Sequence, residues 1–149
     1  MRIYLDNCCY NRPYDNQTQM RINLEAQAKI YIQGMIRDSK LTLVTSYILE
    51  YENDCNRFSD RRNTVKKFID KYASFYVGVK HQDTIESSAK EIMSSGVKEK
   101  DAIHIACAIL AECAYFISTD DRLLKYKTDK ITLVTPNEFL RRLESEYNV

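Results

Sequence analysis

Short, nearly all-apolar runs alternate along this chain with longer stretches whose hydrophobic positions recur at helical spacing. Five of the short runs read as strands: Arg2–Asp6 (RIYLD), Leu41–Thr45 (LTLVT), Phe75–Val79 (FYVGV), Tyr115–Ser118 (YFIS) and Ile131–Val134 (ITLV). They are rich in the β-branched and aromatic residues that suit a pleated sheet. Between them the 3.6-residue period predicts helices over about 18–38, 46–56, 59–72, 84–94 and 99–113. A short helix follows Asp120, and Pro136 opens a last one to about Glu146, since proline suits a helix's first turn. In the first helix Leu24, Ala28, Tyr31, Ile32 and Met35 fall on one expected apolar face, with Asp15 or Asn16 as its cap. In the fifth, Ala102, Ile105, Ala106, Ile109, Leu110 and Cys113 make a buried stripe.

Strands without polar alternation, separated by helices, imply a mainly parallel five-stranded sheet covered on both faces. The expected fold class is therefore α/β, a three-layer α/β/α sandwich. Its 149 residues suit a single domain over 1–149, and no repeat or low-complexity linker divides them. In such sheets ligands bind beyond the carboxyl ends of the strands.

Composition narrows the function classes. With 44% hydrophobic and 29% charged residues the chain reads as a soluble globule, and no apolar run approaches the roughly 20 residues of a membrane span. The opening MRIYLDNCCY lacks the long apolar core of a signal peptide, so a cytoplasmic protein is expected. A net charge of +1 offers no strong general pull on nucleic acid, and any RNA contact must come from local patches. The five cysteines show no CxxC and no zinc-like spacing with His81 or His104, so they read as free, mostly structural thiols.

Four acids stand where this fold puts its chemistry. Asp6 closes strand one, Glu50 lies early in the helix after strand two, Asp101 in the first turn of the helix before strand four, and Asp120 just after strand four. Singly, Asp120 could cap a helix and Asp101 could favour a helix dipole. Glu50 sits one place late for a capping box with Ser46, whose partner position is Leu49. Gathered at one sheet edge, such carboxylates repel, and a divalent cation relieves the repulsion. Oxygen-only ligands favour Mg²⁺ or Mn²⁺, ions suited to phosphodiester hydrolysis.

These residues resemble those of the PIN-domain nuclease family, which includes VapC-type toxins of bacterial toxin–antitoxin pairs. RIYLDNCCYNRPYD is similar to an apolar strand ending in the family's first Asp, TSYILE to its second motif, KDAIHIACA to its third, and FISTDDRLL to its fourth. The resemblance spans about residues 2–146. It implies strand order 3-2-1-4-5 and metal-dependent hydrolysis of RNA. Asp6, Glu50, Asp101 and Asp120 become the metal-binding and catalytic quartet, and Ser118 a supporting hydroxyl. Thr119 and Asp121 stand as alternatives should the fourth motif slip by one place, and Asn7 could hydrogen-bond within the site. A homodimer and a cognate antitoxin protein are the partners implied.

Arg12 and Arg122, close in sequence to Asp6 and Asp120, are the expected holders of substrate phosphate. The basic run Arg57, Arg61, Arg62, Lys66 and Lys67 reads as a solvated helix face, His104 as a satisfied helical histidine, and Tyr47 with Tyr51 as core or subunit contact. A phosphoacceptor receiver-like switch would need an Asp after strand three and a Lys after strand five. The chain has Val79-Lys80 and Val134-Thr135-Pro136 there. A catalytically silent PIN-like binding module is the remaining alternative.

Overall fold

The computed structural model describes residues 1–147. Five strands, β1 (Arg2–Leu5), β2 (Thr42–Ser46), β3 (Ala73–Val77), β4 (Tyr115–Ile117) and β5 (Thr132–Val134), form one sheet in the order β3-β2-β1-β4-β5. Every pairing is parallel, with Ile3 opposite Leu43 on one side and Tyr115 on the other. The α/β class is as the hydrophobic pattern implies, and the strand order 3-2-1-4-5 is as the family resemblance implies. Among the described residues eight α-helices surround the sheet: α1 (Asn7–Asn11), α2 (Met20–Arg37), α3 (Tyr47–Asp54), α4 (Ser59–Tyr72), α5 (Gln82–Met93), α6 (Glu99–Leu110), α7 (Asp121–Leu124) and α8 (Pro136–Tyr147).

The period-2 alternation of a strand sends successive side chains to opposite faces, and here both faces are apolar. Tyr4, Val44 and Phe116 pack under α5 and α6 with Ile85, Ile92 and Ile105. Ile3, Leu5, Leu43 and Ile117 pack on the other face against Ile32 and Ile36 of α2, Val65 of α4 and Phe139 of α8. No helix among the described residues is long and apolar enough to cross a membrane.

Four local expectations need correction. The five-residue α1 was not foreseen, because NCCYN carries no helical apolar period. Helix α2 starts at Met20 after Gln19, without a side-chain cap from Asp15 or Asn16. Its buried face is Glu25, Ala28, Lys29, Ile32 and Ile36, while Leu24 and Tyr31 are exposed, so the apolar stripe is rotated relative to the expected one. Strand three, at the edge that the order gives it, runs over Ala73–Val77 rather than Phe75–Val79 and shows Phe75 and Tyr76 to solvent.

Phe116 is fully buried and stacks on Tyr4 with ring centroids 5.2 Å apart and planes 10° from parallel. Phe116→Ala is expected to cost about 3–5 kcal/mol, because it removes the ring and leaves a cavity between β1 and α6. Urea unfolding of the two proteins measures the difference.

Candidate active site

Three strand-to-helix junctions on the carboxyl edge carry a polar residue at the helix N-cap: Asp6 before α1, Ser46 before α3 and Asp120 before α7. The strand ladder continues into two of these corners. Asp6 N–H donates to the Ile117 carbonyl at 2.9 Å and Ser118 N–H to the Val134 carbonyl at 3.0 Å. That extension brings the Ser118 hydroxyl against Asp6, donating to Oδ2 at 2.8 Å, and both side chains are buried. The other oxygen of Asp6 accepts the Asn7 backbone N–H at 2.8 Å. The half-buried Cys8 thiol also faces Oδ2, at 3.4 Å, and approaches Ser118 Oγ at the same distance.

Asp120 uses one oxygen as a cap, accepting from the backbone N–H of Arg122 at 2.9 Å and of Leu123 at 3.5 Å. The capping role and a place at the edge are therefore compatible. Ser118 Oγ accepts the Asp120 N–H at 3.1 Å, joining Asp6 and Asp120 through one hydroxyl. Asp101, in the first turn of α6, receives no hydrogen bond among the described residues. Its carboxyl is pushed up to about 6 by burial first, then by the charges of Asp6 and Asp120, with Glu52 adding to them. Asp6, Asp101 and Asp120 are thus brought into one field.

Glu50 is not. It is exposed, accepts a hydrogen bond from the Tyr76 hydroxyl at 2.9 Å, and lines a separate cavity of about 230 Å³ with Asn53, Lys66 and Asp70. The acid of α3 that faces the cluster is Glu52, two places on. His104 Nε2 lies 2.9 Å from Glu52 Oε1. A carboxylate only accepts, so this nitrogen carries the hydrogen. His104 Nδ1 lies 2.6 Å from the Tyr4 hydroxyl, which is in turn 2.6 Å from Ser46 Oγ. Ser46 Oγ accepts the Leu49 N–H, so a buried chain runs from the start of α3 through β1 and α6 back to α3. Burial holds the Tyr4 phenol protonated. Burial also opposes a charge on His104, but the hydrogen bond to Glu52 and the charges of Asp6, Glu52 and Asp101 outweigh it and raise its pKa. The sequence carried a signal for Glu52: it lies one helical turn after Ile48, which packs in the core shared with α6.

The remaining expected residues divide. Thr119 is buried and offers the site only its backbone: the N–H meets the Cys8 thiol at 3.4 Å and the carbonyl accepts from Arg21. Asp121 points elsewhere, in a two-pronged pair with Arg21 at 2.7 Å on each oxygen. Asn7 directs its side-chain oxygen to Asn11, leaving its backbone N–H as its contribution. Arg12 is bound at 2.7 and 2.9 Å to the buried Glu25 and at 3.1 Å to Asp15, and so is not free for a phosphate. Arg122 is exposed and lines the cavity beside Asp101 and Asp120. On α4, Arg61 stacks on Tyr14 and Phe58, and Lys66 pairs with Asp70, as a solvated face would. All five cysteines are free thiols, three of them buried.

In donor chemistry the acids suit a hard divalent cation, since a repelled, partly protonated carboxyl gains most from a neighbouring positive charge. Among the described residues, however, no three His, Cys, Asp or Glu side chains stand together as a ready-made metal-binding group.

Asp101→Asn is expected to raise the melting temperature of the metal-free protein at pH 7. A folded-state pKa of about 6 lies above the ordinary value, so the stabilising proton is fully bound below about pH 4 and lost as pH rises through 6. Thermal melts from pH 4 to pH 8 should show the two proteins converging at the acid end. An equal gap across that range would refute the crowding of Asp101.

No family model matches the sequence, and no curated protein matches it. Solved structures do. VapBC2 from Rickettsia felis, bound to a DNA fragment from its promoter, aligns over 89% of this chain and 97% of its own with a TM-score of 0.51 at 16% identity. FitAcB from Neisseria gonorrhoeae aligns over 90% and 97% with a TM-score of 0.56 at 12% identity. FitAB bound to an IR36 DNA fragment aligns over 90% and 94%, again at 0.56, with 13% identity. At these identities the likeness concerns the path of the backbone alone, and on that ground the chain shares the fold of the matched chains in these three structures.

Proposed function

We propose that this protein is a metal-dependent endoribonuclease and the toxin of a toxin–antitoxin pair, with a cognate antitoxin as its protein partner. The observation that carries the reading is the convergence of three acids at one sheet edge: Ser118 Oγ joins Asp6 to the backbone of Asp120, and Asp120 shares a cavity lining with Asp101, whose carboxyl their charges help to raise. Asp6, Glu52, Asp101 and Asp120 would hold Mg²⁺ or Mn²⁺, with Glu52 in place of Glu50. Such an ion, when bound, supplies hydroxide from water near neutral pH and offsets charge developing on a phosphate.

The chain's own residues do the positioning. Ser118 fixes one oxygen of Asp6 and the backbone of Asp120 at once. The Nε2–H of His104 holds the Glu52 side chain turned toward α6. The Asp120 cap leaves its second oxygen without a partner among the described residues. Arg122, exposed at the mouth of the cavity, is the arginine available to a phosphate.

Asp101→Asn and Glu52→Gln should each lower Mg²⁺- or Mn²⁺-dependent RNA cleavage by about 10²-fold or more, as loss of a first ligand or its charge does, while Glu50→Gln keeps wild-type activity. A gel assay on single-stranded RNA with purified variants decides it. Full activity in Asp101→Asn removes the nuclease reading, and a dead Glu50→Gln beside an active Glu52→Gln restores the original quartet.

A second reading, a silent binding module, draws on the lack of a preformed metal group among the described residues. Calorimetric Mn²⁺ titration beside RNA degradation separates the two: binding without turnover favours the module.

A further inference from the structure

Next to Asp101 and Asp120 a cavity of about 320 Å³ opens between the turn that joins α5 to α6 and the segment running from α7 toward β5. Its lining pairs opposite charges. The two acids belong to it, and so do Lys98, Arg122, Lys125 and Lys127. All four cations are exposed, and none forms an ion pair among the described residues. The contrast with the other flank is sharp: Arg12 and Arg21 are held by Glu25, Asp15 and Asp121. Unpaired cations concentrated on one side of an acidic site are a surface for a polyanion.

The cavity also has an aromatic wall. Tyr126 is its one aromatic lining residue, half-buried and packed against the core below. A ring anchored in that way, inside a concavity, can be reached by an unstacked base but not by one within a duplex. Gly96, with φ of +94°, turns the chain at the rim, where nothing lies within 4 Å of the side chain it lacks.

We infer that this cavity receives the nucleotide of single-stranded RNA adjoining the phosphodiester held at the acids, its phosphates on Lys98, Lys125 and Lys127 and its base against Tyr126. The inference rests on the nuclease reading for its substrate. The volume lies at the small end of the range for sites that enclose a small ligand, which suits one nucleotide rather than a longer segment.

The test uses the full chain in EDTA, so that cleavage is suppressed, and a fluorescein-labelled single-stranded oligoribonucleotide read by anisotropy. Replacing Lys98, Lys125 and Lys127 by Gln should reduce the slope of log Kd against log salt by about 0.7 for each lysine removed. Tyr126→Leu should weaken binding about 5- to 150-fold, and Tyr126→Phe, which keeps the ring, should retain it. Unchanged affinity and slope in the lysine variants overturn the inference. So does duplex RNA competing as well as the single strand, with Tyr126→Leu without effect, since the face would then be a general polyanion surface. A wild type that cleaves RNA while the lysine variants keep its KM removes the cavity and leaves the nuclease. Lysine-dependent binding with no cleavage in Mn²⁺ removes the nuclease and leaves the cavity.

Discussion

All five strands run the same way, and the remaining features of the molecule follow from that. Each strand leaves the sheet on the same edge, so residues far apart in sequence arrive side by side at the starts of the helices that follow. The ladder between β1, β4 and β5 does not stop with the last strand residue but takes in the N–H groups of Asp6 and Ser118. Two polar side chains are thereby fixed to the rigid centre of the sheet rather than to loops. Charge is then concentrated by backbone geometry, and Asp101, added from the start of α6, bears the electrostatic consequence.

Much of this was legible in the sequence, for identifiable reasons. Strands buried on both faces leave continuous apolar runs, and RIYL, YFI and TLV could be placed within a residue or two. The acids at strand ends could be placed because a strand end is a sharp boundary. Glu50 could not be separated from Glu52, since both lie on α3 and the difference is which side of that helix meets α6. Only the partner helix fixes that side, and the Ile48-to-Glu52 spacing is a faint trace of it. Arg12 misled in another way. Nearness in sequence to Asp6 suggested a shared task, yet the chain turns after α1 and gives that guanidinium to Glu25, an acid buried on a helix face that the apolar period placed elsewhere.

His104 serves the core and the sheet edge at once. It is a satisfied core histidine, nearly inaccessible and bonded at both ring nitrogens. One of those bonds reaches Glu52, so the same satisfaction that stabilises the core sets the direction of that acid. Tyr4 is similar: a ring stacked in the core on Phe116, with a hydroxyl that ties β1 to the caps of α3 and to α6. Packing and placement of the site are carried by one set of side chains.

The uncomfortable carboxyl of Asp101 makes occupancy visible without chemistry. A folded state that holds like charges together is stabilised by whatever cation enters among them, in proportion to the logarithm of its concentration over its dissociation constant. Heat stability would therefore double as a binding isotherm, and candidate ions can be ranked by it with no substrate present.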